Sequence, residues 1–158
     1  FKVSMGPVIN EKARKRLAEF INDLTAKNAR LLLGKKELNN SKNVVEPTIF
    51  ESKTDSVRAF REEIFGPIAV IYRFNDDEEV IKRANDTEYG LASYIFTNNH
   101  ERIERFSNEL EFGEVQINGV KYAIYLPHGG IKNSGIGHDC SHLALEDYLI
   151  KKRVSNAL

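Results

Sequence analysis

Three short stretches of the sequence decide the fold: IAVIYRF at 68–74, LASYIFT at 91–97 and EVQI at 114–117. Each has the length and the β-branched or aromatic content of a strand, and the first is so continuously apolar that we expect it to be covered on both faces. The segments between them carry apolar residues at the three- and four-residue spacing of a helix. One helix is expected from a cap at Asn75 or Asp76 to about Asn85, and another from a cap at Asn98 or Asn99 to about Leu110. Strand, helix, strand, helix, strand with short links is typical of a parallel sheet with right-handed crossovers. The sequence therefore predicts the α/β class.

The region before this core is predicted to begin with a helix over residues 11–27. Its apolar residues fall on one stripe, and Asn10 is a suitable N-cap. A short strand at 30–33 follows, and then a polar surface loop at 35–43. Residues 44–50 are expected to be extended. Pro47 should confine them to an edge of the sheet or to an irregular strand, because proline lacks the amide hydrogen that a central strand needs.

The last third of the sequence is predicted to be less regular. Residues 127–137 hold four of the ten glycines, which indicates a tight loop. A short helix is expected to start near Asp139 or Ser141 and to run to about Asp147. Residues 148–155 then alternate loosely as a strand does. An unpaired strand at this place suits pairing with a sheet edge of another subunit.

The composition is that of an ordinary folded protein. With 158 residues and 41% hydrophobic content, the chain can bury one core. Its 23 basic and 23 acidic residues cancel, which argues against nucleic acid or an anionic membrane as a partner. No apolar run reaches the roughly 18 residues of a membrane helix, and no signal peptide is recognised. Cys140 is the only cysteine, so an internal disulfide is excluded and a cytoplasmic location is expected.

Gly90 is expected only to interrupt the regular structure before the second strand. Two other patterns suggest chemistry but are interpreted as structural. Gly130 and Gly135 have the spacing of a P-loop, but the lysine that must follow is missing. His138 and His142 have the spacing of two metal ligands on a helix, yet two ligands do not close a site, so no metal is expected.

The segment at 61–68 reads REEIFGPI and has two interpretations. As a structural element it is a turn with solvated glutamates that leads into a strand. As a binding element, one carboxylate accepts hydrogen bonds from ligand hydroxyls while the phenyl ring packs on a flat ligand. The residue types alone leave both interpretations open.

Five segments, taken in order, resemble the motifs of the aldehyde dehydrogenase family. Glu62–Pro67 is similar to its E-E-x-F-G-P motif, and Pro127–Gly137 to its P-F-G-G-x-K-x-S-G-x-G segment. MGPVIN at 5–10 resembles the family's turn before a helix, NDTEYGLA at 85–92 its A-N-x-x-x-Y-G-L-A stretch, and GEVQIN at 113–118 its G-x-V-x-V-N strand. The matches cover nearly the whole chain.

The resemblance implies a Rossmann-like parallel sheet with flanking helices, as part of a catalytic domain at 1–147, and an oligomerisation strand at 148–158. In this family a cysteine thiolate attacks an aldehyde, hydride passes to a nicotinamide, and a glutamate-activated water releases the acid. Both catalytic residues precede the turn at 5–10 in the family's order. The resemblance therefore implies a fragment that carries no catalytic residue and is inactive alone. Cys140 does not match the nucleophile.

Site residues carry over position by position from the resemblance. Glu63 matches the carboxylate that binds the nicotinamide ribose hydroxyls, and Phe65 matches the aromatic beside the nicotinamide ring. Tyr122, Tyr125 and His128 fall in the loop that borders the aldehyde entrance, so substrate contacts are expected there. The cofactor is NAD or NADP, with the choice left open. His128 replaces the family's usual phenylalanine, which favours a polar substrate such as a semialdehyde or an aminoaldehyde.

The resemblance also implies a homodimer or homotetramer, formed through residues 148–155. Two alternatives stay open. A self-standing α/β interaction module would keep the fold and only assemble with partners. A related reductase of acyl phosphates, or a non-phosphorylating glyceraldehyde-phosphate dehydrogenase, would share the same scaffold.

Overall fold

The computed structural model describes residues 5–38 and 43–157. The chain divides into two compact units, Phe1–Phe74 and Asn75–Leu158, and each is described by itself. Both combine helices with a parallel pair of strands, which confirms the predicted α/β class.

The first unit is a helix packed on a three-stranded sheet. α1 covers Glu11–Ala26, β1 Arg30–Leu33, β2 Thr48–Ser52 and β3 Ile68–Tyr72, with a 3₁₀ turn at Arg58–Phe60. The strand order is β1-β2-β3, with β1 antiparallel and β3 parallel to β2. The helix, the first strand and the third strand lie where the sequence predicts them.

α1 is held by a capped start and a buried stripe. The side chain of Asn10 accepts a hydrogen bond from the Ala13 amide at 2.9 Å and so caps the first turn. The buried residues of the stripe are Leu17, Phe20, Ile21 and Leu24. They form the core of this unit together with Phe50 and Val57. Full burial of such a side chain contributes roughly 1.5–3 kcal/mol, so packing, more than helix propensity, stabilises α1.

Two expectations about this sheet are wrong. The sequence predicts an edge strand or an irregular strand around Pro47, whereas β2 is the regular central strand. Pro47 lies one residue before β2, so its missing amide hydrogen costs the ladder nothing. β3 alternates in exposure instead of being covered on both faces: Ile68 is 6% exposed and Ile71 is 46% exposed.

The polar loop predicted at 35–43 falls partly outside the described residues. Residues 35–38 contain no helix or strand, in agreement with the prediction. Residues 39–42 lie outside the part of the chain that the structure describes.

Three helices and four short strands are described in the second unit. They are α2 at Asp77–Asn85, β4 at Tyr89–Gly90, β5 at Ala92–Ile95, α3 at His100–Glu109, β6 at Glu114–Ile117, β7 at Ile131–Lys132 and α4 at Leu143–Glu146. α2 and α3 begin where the sequence predicts, because the side chains of Asp76 and Asn99 accept hydrogen bonds from the amides of Glu79 and Arg102. Of the helices described in either unit, none is long and apolar enough to cross a membrane.

β5, α3 and β6 form the parallel strand–helix–strand unit that the sequence predicts. The stretch at 68–74 does not join them in the described pairings, since β3 pairs with β2 in the sheet of the first unit. Gly90 does not interrupt the regular structure as expected, because it lies in β4, which pairs antiparallel with β7. Local spacing thus identified the strands, while their partners depend on contacts distant in sequence.

The end of the chain departs from the expectation in two places. α4 starts at Leu143, later than predicted, because Cys140 and Ser141 adopt left-handed backbone angles with φ of 61° and 53°. Residues 149–157 contain no strand, so the strand predicted at 148–155 is not formed in the single chain. Its pairing with another subunit stays a prediction.

Glu51 makes the stability of the first unit depend on pH. Its carboxylate lies nearly buried on β2 and accepts hydrogen bonds from Arg73 Nε at 2.7 Å and Arg30 Nε at 2.9 Å. These bonds, the one from Arg73 first, hold the pKa of Glu51 below its usual value of 4.5. A carboxylate with a lowered pKa stabilises the fold fully above its unfolded pKa, and this contribution is lost as the pH falls through the folded pKa.

We therefore expect Glu51→Gln to lower the unfolding free energy at about pH 7 and to flatten its decline toward about pH 3. Urea denaturation at a series of pH values measures both effects. Glu104→Gln is the matched control, because Glu104 is exposed on α3. A Glu51→Gln variant with the same acid dependence as the parent chain would contradict this assignment.

Candidate functional site

An ion pair fixes the turn at residues 61–67. Arg58 contacts Glu62 through two bonds, Nε to Oε1 at 2.8 Å and Nη2 to Oε2 at 2.9 Å. It also donates to Glu19 on α1 at 3.2 Å. Hydrogen bonds from Arg58 lower the pKa of the Glu62 carboxyl, and hydrogen bonds to Glu62 and Glu19 raise the pKa of the Arg58 guanidinium. The carboxylate of Glu62 is therefore engaged in holding the turn.

A second guanidinium holds the same turn by its backbone. Arg16 Nη1 donates to the carbonyl oxygen of Ile64 at 2.7 Å, and Nη2 donates to that of Glu63. The guanidinium carbons of Arg16 and Arg58 lie 4.8 and 4.9 Å from the centre of the Phe20 ring, within the range of cation–π attraction. Because Phe20 is fully buried in the core, both arginines tie the turn to α1.

Glu63 and Phe65, the two residues proposed for cofactor contact, lie on the outer side of this turn. Within the part of the chain that the structure describes, the Glu63 carboxylate makes no hydrogen bond or ion pair, and its side chain is exposed. Phe65 is 83% exposed and has a left-handed backbone angle, φ 52°. The turn thus presents an unpaired carboxylate and an aromatic face together. These groups can accept hydrogen bonds from hydroxyls and pack on a flat ring.

The second unit contains a cleft of about 730 Å³. Its walls are β6, the loop at 121–128 and the residues at 139–140. Of the three residues that the sequence proposes for substrate contact, Tyr122 and His128 line this cleft. Tyr125 lies on the same loop, 65% exposed, and is not part of the lining.

A chain of polar contacts ties both ends of this loop to β6. His128 Nδ1 contacts the carboxylate of Glu114. Glu114 Oε2 in turn accepts a hydrogen bond from Gln116 Nε2 at 3.0 Å, and Gln116 Oε1 accepts one from the Lys121 amide at 3.1 Å. A carboxylate can only accept, so Nδ1 carries the hydrogen of this contact. The loop is therefore held in a defined shape beside the cleft.

Backbone hydrogen bonds connect the loop to the segment at 139–141. His128 and Asp139 exchange two of them, at 2.8 and 2.7 Å, and the Ser141 amide donates to the Ile124 carbonyl at 2.7 Å. Cys140 lies between these contacts, exposed and in a left-handed conformation. It does not stand at the N-terminus of α4, which is the arrangement that an activated thiolate at this place would require.

His138 and His142 do not share a helix, so the spacing of two ligands on one helical face has no counterpart in the structure. Among the described residues, no group of three His, Cys, Asp or Glu side chains is arranged to hold a metal ion.

The glycine-rich segment at 127–137 packs against the start of β6. A side chain at Gly113 would overlap the carbonyl oxygen of Gly129. Lys132 pairs with Glu111 at 2.6 Å and donates to the Asn85 carbonyl at 3.1 Å. These contacts support the interpretation of this segment as a tight structural loop, because its charged group is used within the fold.

A family model described as "Aldehyde dehydrogenase family" matches residues 2–154. The chain belongs to the aldehyde dehydrogenase family. The resemblance that the five motifs carry is thus confirmed, and the EEIFGP turn and the cleft beside β6 are parts of an aldehyde dehydrogenase fold.

Similar proteins agree on this family. The chain is 41% identical over 152 residues to the mitochondrial succinate-semialdehyde dehydrogenase of Oryza sativa, covering 96% of the chain and 29% of that protein. It is 39% identical over 153 residues to the 3-sulfolactaldehyde dehydrogenase of Pseudomonas putida, covering 96% and 32%. A solved structure of an NADP-dependent enzyme from Escherichia coli matches with a TM-score of 0.87 and 41% identity, covering 92% of this chain and 31% of that one. The chain thus spans about a third of the length of these aldehyde dehydrogenases.

Glu114 and Gln116 contribute to the cleft and were not singled out by the sequence. They occupy variable places in the family's G-x-V-x-V-N strand, so the motif gives them no role. Strand alternation offers the one signal that could have found them, since it puts both side chains on the same face of β6.

Because Gly113 lies close to Gly129, we expect any side chain at position 113 to destabilise the fold. Gly113→Ala is expected to lower the unfolding free energy by about 1–3 kcal/mol, because a methyl group would push the glycine-rich segment away from β6. Gly6→Ala is the control, since a Cβ there meets no atom within 4 Å. Thermal unfolding followed by circular dichroism compares the two. Equal melting temperatures for both variants would show that the backbones do not approach as described.

Proposed function

We propose that the chain is part of an NAD(P)-dependent aldehyde dehydrogenase that oxidises an aldehyde to a carboxylic acid. The observation that supports this most is the family match over residues 2–154, combined with an unpaired carboxylate on the EEIFGP turn. The nucleophilic cysteine and the general-base glutamate are proposed to lie outside these 158 residues. In this proposal residues 1–147 belong to the catalytic domain, and residues 148–158 join subunits into a homodimer or homotetramer.

The turn fits the nicotinamide end of a dinucleotide. Ribose hydroxyls are donors, and the Glu63 carboxylate is an acceptor without a partner in the described residues. Phe65 offers an exposed aromatic face two residues away. When bound, the dinucleotide supplies the hydride acceptor of the oxidation. The chain's own part is to hold Glu63 and Phe65 in place, which the contacts of Arg58 and Arg16 achieve before any ligand arrives.

In the second unit, Tyr122, Tyr125 and His128 are proposed to border the substrate's path. Cys140 has no catalytic role in this proposal, because its position follows the glycine-rich segment and does not match the family's nucleophile. The similar rice and Pseudomonas proteins are named as succinate-semialdehyde and 3-sulfolactaldehyde dehydrogenases, which favours a semialdehyde or a similar acidic aldehyde as the substrate class. An aminoaldehyde is the alternative that His128 leaves open.

The two neighbouring glutamates of the turn allow a matched test of cofactor binding. In the longer enzyme, Glu63→Gln is expected to raise the KM for NAD(P) by about 10- to 100-fold, since a charge-assisted hydrogen bond is worth about 1.5–3 kcal/mol. Glu62→Gln should mainly lower the melting temperature, because Glu62 is engaged with Arg58. Steady-state kinetics with varied cofactor separates the two effects. Similar KM values for the Glu63→Gln variant and the parent would remove Glu63 from the cofactor site.

The proposal makes a second prediction about the 158-residue chain by itself. Purified alone, it is expected to form no NADH or NADPH from an aldehyde, because neither catalytic residue is proposed to lie within it. A spectrophotometric assay at 340 nm with both cofactors and a panel of aldehydes checks this. Aldehyde-dependent reduction by the chain, confirmed by its intact mass, would contradict the assignment of the catalytic residues.

A further inference from the structure

The cleft beside β6 is lined by few charged groups, and their balance indicates what it can bind. Two carboxylates, Glu114 and Asp139, one ammonium, Lys121, and the imidazole of His128 are part of the lining. The remaining lining residues are apolar or uncharged. The chemistry of the cleft therefore depends on which of these charges are already used within the fold.

Glu114 is used within the fold. Its side chain is 12% exposed, and each oxygen has a partner, Oε1 with His128 and Oε2 with Gln116. A carboxylate that is nearly buried and bonded at both oxygens has little capacity left for a ligand. Glu114 therefore serves to orient His128 and to close the network that reaches Lys121.

Lys121 is the opposite case. Its backbone amide is anchored to Gln116 at 3.1 Å, but its ammonium forms no ion pair in the part of the chain that the structure describes. The ammonium lies 5.9 Å from the centre of the Tyr125 ring, a cation–π distance that restrains it without neutralising it. Of the other lysines of this unit, Lys132 and Lys151 pair with carboxylates. Lys82 and Lys152, like Lys121, form no ion pair among the described residues, but only Lys121 lines the cleft. An anchored residue with a free charge is pre-organised for an anionic ligand.

We propose that Lys121 is a specificity-determining residue, which binds the anionic group at the far end of the aldehyde substrate. This inference rests on the proposed function and names its substrate class: aldehydes with a distal carboxylate or sulfonate. Succinate semialdehyde carries a carboxylate and sulfolactaldehyde carries a sulfonate, and two relatives are named for these aldehydes. Asp139 is the opposing charge, since its carboxylate has no partner in the described residues and repels such an anion.

The test uses the longer enzyme and two four-carbon substrates, succinate semialdehyde and uncharged butanal. Lys121→Met is expected to raise the KM for succinate semialdehyde by about 10- to 100-fold, the size of a lost charge-assisted bond. The KM for butanal and the kcat for both should stay within about twofold. Lys121→Arg should restore most of the loss, because it keeps the charge. Asp139→Asn should act in the opposite direction and lower the KM for succinate semialdehyde.

Each outcome decides between the claims. A KM that rises equally for both substrates makes Lys121 a structural residue and overturns the inference. A lower KM for 4-aminobutanal than for butanal in the parent enzyme assigns the cleft to a cationic tail and also overturns it. An enzyme that oxidises butanal but does not prefer succinate semialdehyde to it leaves the proposed function intact and overturns the inference about Lys121. An enzyme that oxidises no aldehyde overturns the proposed function together with the inference.

Discussion

Two guanidinium groups contact the buried ring of Phe20 and connect the core of the first unit to the turn at residues 61–67. Arg16 and Arg58 both lie over this ring, at 4.8 and 4.9 Å, and both reach outward to residues 62–64. Within this turn Ile64 packs against the core, whereas Phe65 is exposed and has a left-handed backbone angle. The two arginines add polar contacts that hold the turn: Arg16 donates to its carbonyl oxygens, and Arg58 donates to the carboxylate of Glu62. The free carboxylate of Glu63 is a consequence of this arrangement, since Glu62 has already taken the guanidinium.

In the second unit a strand, instead of a helix, holds a loop in place. β6 offers Glu114 and Gln116 on one face, and these side chains hold the loop at its two ends, at Lys121 and His128. The bare backbone of Gly113 lets the glycine-rich segment pack directly against the same strand. In each unit a regular element positions the less regular residues that are proposed to contact cofactor or substrate, and such a division between scaffold and loops is common.

The parts of the fold that the sequence predicted are those with local causes. α1, α2 and α3 follow from apolar spacing and from asparagine or aspartate caps, and these signals lie within a few residues of what they determine. The central position of β2, the pairing of Gly90 with Ile131 and the late start of α4 were missed. Strand partners and left-handed angles at Cys140 depend on contacts far away in the chain, and spacing does not report them.

The site divides in the same way. Glu63 and Phe65 were predicted to contact the cofactor because a motif with fixed spacing contains them, and the structure shows that Glu62 beside them is paired with Arg58. Glu114 occupies an unspecified position of its motif and Lys121 lies outside the five motifs, so no motif names them. The roles proposed for them depend on the partners of each charged group, and the sequence does not show which charged groups are already bonded within the fold.

We propose that the Glu62–Pro67 turn receives the nicotinamide end of the cofactor, and a crystal structure of the longer enzyme with NAD or NADP bound would show whether it does. We expect a ribose hydroxyl within about 3.2 Å of the Glu63 carboxylate, with the Phe65 ring beside the nicotinamide and Glu62 still bonded to Arg58. A cofactor bound elsewhere, with Glu63 left in solvent, would contradict it.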